Sequence, residues 1–243
     1  MAEWRFDAIG VPWSIETAQD IEPSTRQRIS DRIAAFDRAY SRFREDSLVA
    51  EVAKKPGDYV FPDDLSDLLA VYDRLFQATR GAINPLVGRA LEHWGYDANY
   101  RLAPHAGHPP PVPSLKDSIS VTGTTLHAPR PVLLDIGAVG KGFLVDRVSE
   151  LLLEAGVDDS VVDASGDIRH SGEDSERVGL EHPDHPDRVV VSPGYRINLW
   201  QRQPQTDGRG PERIIFWMLS PAGLPNPFGP VGWWPIVVRW PMD

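Results

Sequence analysis

The segment Leu133-Leu134-Asp135-Ile136-Gly137-Ala138-Val139-Gly140-Lys141-Gly142-Phe143-Leu144-Val145-Asp146 constrains the fold more than any other part of the chain. An apolar run of strand type, residues 132–134, reaches an acid and passes through a turn with Gly137, Gly140 and Gly142. It then becomes helical, with Phe143, Leu144, Val148, Leu151 and Leu152 on one face. A strand that empties into a glycine turn at a helix start makes a pocket. Glycines admit a ligand close to the backbone, the first helical N–H groups lack partners within the helix, and the helix dipole adds a partial positive charge where Lys141 adds a full one. Phosphate oxygens suit such a place. Asp135 has the opposite preference: it can accept from a sugar hydroxyl or base edge, or help hold a divalent cation. The same spacing also fits an ordinary strand-to-helix connection with a solvated lysine and a capping aspartate.

Two further glycine loops bear on the same question. In Gly81-Ala82-Ile83-Asn84-Pro85-Leu86-Val87-Gly88, Asn84 precedes proline and must be extended. Its amide then either meets a ligand or forms an Asx turn that caps the next helix. Ser165-Gly166-Asp167-Ile168-Arg169 is a third polar turn, following a strand at 160–164. Three such loops, each after a regular element, can converge on one site. His93-Trp94-Gly95-Tyr96 forms either an aromatic wall or a helix end packed on the core.

Around these loops, residues 6–15 read as a hairpin broken by Gly10 and Pro12, and a helix from Pro23 carries Ile29, Ile33, Phe36 and Tyr40 toward a core. Ser47 or Asp46 caps a short second helix, and residues 59–61 are extended. A helix after Pro62-Asp63-Asp64 presents Leu65, Leu68, Leu69, Tyr72, Leu75 and Phe76, ending at Arg80-Gly81. Residues 104–113 form a proline-rich surface loop with solvated His105 and His108, and 115–121 and 124–128 read as strands around Gly123.

Composition closes off several classes. With 243 residues, 41% of them hydrophobic, the chain can bury a full core, and a net charge of -10 argues against non-specific binding to nucleic acid or an anionic membrane. The absence of cysteine excludes disulfides, thiolate metal sites and cysteine nucleophiles. Glu3, Arg5 and Asp7 stand where a signal peptide needs its apolar core, and no run is long enough to cross a bilayer, so a cytoplasmic protein with no membrane segment is expected.

Taken together, the motifs resemble the FAD:protein FMN transferase (ApbE) family. The residues that carry the resemblance are Ser41-Arg42-Phe43-Arg44-Glu45-Asp46-Ser47, Gly81 to Gly88, Leu134 to Gly142, and Ser165 to Arg169, in the family's order and spacing over roughly residues 6–186. The resemblance implies an α+β fold, with a mixed, largely antiparallel sheet and helices around a flavin-nucleotide cleft. It implies a Mg²⁺-dependent transfer of FMN from FAD to a threonine or serine hydroxyl of an acceptor flavoprotein, with release of AMP. Carried over by position, Ile9, Phe43, Ala82, Ile83, Asn84, Asp135 and Lys141 would line the FAD site. Asp135 and Lys141 would serve as the catalytic residues, and the Ala138 carbonyl as a metal ligand.

Three departures qualify the resemblance. Asn84 stands where the family usually has aspartate, and Ile9 where it tends to have methionine. After about Val191 the family's Thr/Ser-Gly-Asp strand, its His-x-Ile-x-Asp-Pro-x-Thr-Gly turn and its late metal-binding Asp-x-x-x-Thr are missing. Residues 1–190 are therefore expected to form an incomplete flavin transferase domain. Residues 191–243 are expected to form an irregular tail rich in proline, tryptophan and arginine, divergent or translated out of frame. Two alternatives stay open: an inactive FAD-binding remnant lacking the C-terminal metal ligands, and an α+β domain without a ligand.

Overall fold

A computed structural model describes residues 1–172 and the strand segments 180–182, 185–190, 215–216 and 236–237. The first two strands, β1 (Ala2–Ala8) and β2 (Val11–Thr17), are joined by a two-residue turn at Ile9 and Gly10, with φ of 47° and 78°. Two successive left-handed residues match the twist of a tight hairpin. Glycine takes this conformation freely, whereas the β-branched Ile9 is strained in it and lies half-buried against the core. β2 also pairs with β6 (Ser160–Ala164), which turns through Ser165 and Gly166 into β7 (Asp167–Ser171). The result is an antiparallel sheet of order β1-β2-β6-β7.

Helix α1 (Pro23–Tyr40) buries Ile29, Ile33, Phe36 and Tyr40, the stripe expected from their spacing. It packs beside α6 (Gly140–Glu154), which lies on β6 and β7 and buries Phe143, Leu144, Val148 and Leu152. Phe36 and Phe143 stack across the helix pair with ring centroids 6.4 Å apart. The short α2 (Leu48–Val52) is capped by Ser47, whose hydroxyl accepts from the Ala50 N–H at 3.1 Å. A second antiparallel sheet, β3-β5-β4, is built from β3 (Gly57–Val60), β4 (Ser120–Thr122) and β5 (Thr125–Ala128), with α3 (Leu65–Ala78) running between β3 and β4 in the chain. The 81–88 segment runs into a 3-10 turn at Pro85–Val87 and then α4 (Gly88–His93). The mixed helical and antiparallel architecture is the expected one.

Two local expectations are corrected. Residues 132–134 are buried but belong to no sheet. The Val132 N–H donates to the Val52 carbonyl at the end of α2 and the Asp135 N–H to the Pro85 carbonyl of the 3-10 turn, so carbonyls of two helical segments and not a neighbouring strand satisfy this backbone. Residues 115–121 are not one strand: Leu115–Ser118 is a helical turn, α5, which puts Leu115 and Ile119 on the core, and only Ser120–Thr122 enters the ladder. Further strands β8 (Leu180–His182) and β9 (His185–Val190) pair with each other, as do β10 (Ile215–Phe216) and β11 (Ile236–Val237). Apart from these strands, the expected tail and its missing metal motifs lie outside the described residues.

Candidate functional site

Asp135 is held at every polar atom. Its Oδ2 accepts from Arg42 Nε, and its Oδ1 accepts from the Gly137 N–H at 2.8 Å, an Asx turn that starts the glycine-rich bend. Its main-chain N–H donates to Pro85 at 2.7 Å, and its carbonyl accepts from the Tyr72 hydroxyl at 3.3 Å. Burial, reinforced by the Asp135 charge, pushes the Tyr72 hydroxyl well above its usual range, so it stays a neutral donor.

Arg42 is the group that sequence reasoning missed. Its side chain is 3% exposed and that of Asp135 10%, so the two charges neutralise each other largely out of water. The guanidinium also lies over two rings, with Cζ 4.2 Å from the centroid of Phe43 and 4.7 Å from that of Tyr96. Phe43 stacks on Tyr100 with centroids 5.1 Å apart and planes 9° from parallel, and Tyr96 meets both rings edge-on. Burial, helped by Tyr100, pushes the Tyr96 hydroxyl up against the opposing pull of Arg42. The aromatic wall weighed for residues 93–96 therefore exists through Tyr96, with Tyr100 added from the following loop. The one available signal for Arg42 was its place beside Phe43 in the first motif.

Lys141 occupies the first turn of α6, which no side chain caps and which holds no acidic residue. Its ammonium donates to the Ser165 carbonyl at 3.2 Å and pairs with Asp167 at 3.0 Å. An ammonium has three N–H groups, so a third is left for a ligand oxygen. The Ser165 hydroxyl donates to the Pro12 carbonyl at 3.0 Å, which ties this turn to the start of β2 beside Ile9. Lys141, the 165–167 turn and the Ile9 hairpin thus share one end of the first sheet. A cavity of about 360 Å³ opens there, lined by Arg5, Asp7, Pro12, Asp163 and Ser165 among others.

The 81–88 loop is joined to this assembly through the Asp135 main chain and not by direct contact with Lys141. Ala82 is exposed and Ile83 half-buried against the core. Asn84 forms the Asx turn, its Oδ1 accepting from the Leu86 N–H at 2.9 Å, while its Nδ2 donates to the Pro113 carbonyl at 3.0 Å. Beside it lies a second cavity of about 320 Å³, bounded by Phe76, Ala82, Val87, Val112 and Pro113.

The expected metal ligand, Ala138, is exposed at the glycine turn. Magnesium asks for near-octahedral oxygen coordination. Among the described residues no group of three His, Asp or Glu side chains is placed to hold a metal. The described donors do not fit this ion.

Comparison with known proteins points to one family. A family model described as the ApbE family matches residues 9–200. The FAD:protein FMN transferase of Treponema pallidum (strain Nichols) is 28% identical over 193 residues, which take in 71% of this chain and 48% of that protein. A protein of the same description from Rhodobacter capsulatus is 32% identical over 122 residues, 46% of this chain and 21% of the relative. This chain thus spans about half the length, or less, of these curated relatives. The solved structure of the flavin transferase ApbE from Vibrio cholerae superposes with a TM-score of 0.64 at 21% identity, covering 79% of this chain and 67% of that one, a likeness of fold.

Proposed function

The chain belongs to the ApbE family, and from that membership we propose that it binds FAD and transfers FMN to a threonine or serine hydroxyl of an acceptor flavoprotein, releasing AMP. One observation carries the reading: within the matched span, an uncapped helix start and the Lys141 ammonium stand beside the 165–167 turn, a setting suited to a diphosphate.

In this reading the acceptor oxygen bonds to the FMN-side phosphorus as the bond from that phosphorus to the bridging oxygen breaks. AMP leaves with the bridging oxygen, and the hydroxyl proton passes to solvent. Negative charge gathers on the phosphate oxygens, and Lys141 with the helix start offsets it. Asp135, fixed by Arg42, offers its remaining lone pairs to a sugar or polyol hydroxyl. The Phe43 and Tyr100 rings offer a face on which a flat heterocycle stacks, and Ile9, Ala82, Ile83 and Asn84 complete the lining.

Magnesium enters this reading only as the resemblance implies it, through the Ala138 carbonyl. The poor fit of the described donors favours a second reading, an FAD-binding chain without turnover. Incubation with FAD, Mg²⁺ and a threonine-containing acceptor peptide separates the two. Covalent flavin fluorescence on a denaturing gel, with AMP released, is expected for a transferase. Quenching of FAD fluorescence without transfer supports the second reading, and no quenching removes both.

Lys141→Ala is expected to weaken FAD binding by roughly ten- to a hundredfold, the loss of one charge-assisted hydrogen bond to phosphate. It also leaves the Asp167 carboxylate without its cation, facing the ligand. Lys54→Ala is the control, because among the described residues the Lys54 ammonium reaches only the Glu45 carbonyl, at an exposed position. Equal affinities of the two variants in a fluorescence titration would remove Lys141 from the phosphate site.

A further inference from the structure

We infer that Asp146 is a positioning residue, which holds the buried Arg169 guanidinium off Asp167 and so reserves the Asp167 carboxylate for Lys141. The consequence for FAD rests on the reading proposed above.

Two ion pairs join α6 to β7, and the order of charge is reversed between the two elements. The helix carries its base first, at Lys141, and its acid second, at Asp146, whereas the strand carries its acid first, at Asp167, and its base second, at Arg169. Lys141 meets Asp167 at 3.0 Å and Arg169 meets Asp146 at 2.9 Å. Arg169 also donates to the Asp146 main-chain carbonyl at 3.4 Å, so one helical residue receives it twice.

A wrong pairing lies within reach. Asp167 and Arg169 stand opposite Ala164 and Val162 in the ladder, both fully buried, so the two side chains leave the same face of the sheet, the one that α6 covers. Residues two apart on a strand are roughly 7 Å apart along one face, a span that an arginine side chain covers. The first turn of α6 comes close to Asp167 from the other side: a Cβ on Gly142 would lie 3.4 Å from Asp167 Oδ1. Asp167 thus has one cation on the helix and another on its own strand.

In an open contest Arg169 is the stronger competitor. Its side chain is 4% exposed against 28% for Lys141, so it has given up more hydration and depends more on a carboxylate. Its planar fork can also bind a carboxylate through two N–H groups at once, which an ammonium cannot. Asp146 removes the contest by turning the guanidinium toward the helix. In the FAD reading this matters because an ammonium already fixed by Asp167 and the Ser165 carbonyl meets the diphosphate without first being ordered.

Trace acetylation of the full chain with acetic anhydride, without FAD and read by mass spectrometry as the ratio of Lys141 to Lys54, tests the assignment, with FAD fluorescence titrated in parallel. In Asp146→Ala the ratio is expected to rise about three- to tenfold as Arg169 takes Asp167 from Lys141, and the FAD dissociation constant to rise by a similar factor. Arg169→Met leaves no cation to compete for Asp167, and the Asp146 side chain, 38% exposed, keeps water, so both readouts stay at wild type. Adding Arg169→Met to Asp146→Ala returns both readouts to wild type.

A pair that served only to brace helix against strand gives a different pattern: Arg169→Met raises the ratio as Asp146→Ala does, and the double variant does not recover. That pattern, or an Asp146→Ala ratio equal to wild type, would overturn the assignment. Should Asp146→Ala not fold, Arg169→Met decides alone, a wild-type ratio supporting the assignment and a raised one overturning it. The expected labelling in a chain that binds no FAD supports Asp146 in this role and removes its consequence for the ligand together with the FAD reading.

Discussion

Replacing Arg42 by alanine is expected to lower the unfolding free energy by about 3–5 kcal/mol, the range found when one partner of a buried ion pair is removed and the other is left behind. With the guanidinium gone, the Asp135 carboxylate keeps only the Gly137 N–H as a partner in a setting where 90% of its side-chain surface is withheld from water. The guanidinium also packs on the rings of Phe43 and Tyr96, so alanine removes packing as well as charge. Arg42→Lys returns the charge but not the planar fork, and falls between the two. Arg42→Ala with Asp135→Ala is expected to cost less than the sum of the single changes, because neither charge is then left alone. Chemical denaturation of wild type, Arg42→Ala, Arg42→Lys, Asp135→Ala and the double variant checks this, and a loss below about 1 kcal/mol for Arg42→Ala would mean that the pair is an exposed one of little worth. The prediction reaches function because the same carboxylate holds the Gly137 turn that leads into Lys141.

That pair also marks where the sequence stops being legible. The elements with a short period were readable: the helix carrying Ile29, Ile33 and Phe36, the cap at Ser47, and the hairpin at Gly10 all declare themselves within a few residues, because local spacing and turn chemistry decide them. Partners that meet across long separations were not. Arg42 and Asp135 lie 93 positions apart, and an arginine just past a helix C-terminus reads as an ordinary solvated cation. Residues 132–134 show why apolar composition misleads about pairing. It requires burial, yet it does not say whether the backbone finds a strand or two carbonyls of neighbouring helical segments.

The candidate site divides in the same way. The meeting of Lys141 with the 165–167 turn was legible as three glycine loops that could converge. That Asp167 is the cation's partner, and that Asn84 spends both ends of its amide on the protein, follows only from tertiary geometry. Tyr100 lay hidden for a further reason. It sits in a loop with φ of 48°, a conformation that neither propensity nor periodicity selects.

Gly95→Ala is expected to release that loop while leaving the rest of the fold standing. Gly95 follows α4 with φ of 89°, and its carbonyl accepts from the Leu102 N–H at 2.9 Å, which folds 96–102 back and carries Tyr96 and Tyr100 to Phe43. A Cβ there would lie 2.4 Å from the Ala103 nitrogen and 2.5 Å from its oxygen, main-chain atoms with no rotamer to retreat to. Left-handed strain of about 1–2 kcal/mol and overpacking of about 1–3 kcal/mol together oppose the loop. Much of that loop is exposed, so letting it go costs less than distorting α4 or the core, and local opening is the path taken. Trypsin should then cut after Arg101 on the order of tenfold faster or more, while the thermal midpoint moves little. FAD affinity should fall as the Phe43–Tyr100 stack is lost. Gly107→Ala separates the two causes: φ there is 94°, yet nothing lies within 4 Å of the added carbon, so it carries strain without overlap. If both variants are cut equally fast, strain alone governs the loop, and the close approach of Ala103 contributes nothing to holding the aromatic platform. If cutting is faster only in Gly95→Ala, the bare backbone at residue 95 is what lets the loop fold back far enough to bring Tyr100 onto Phe43.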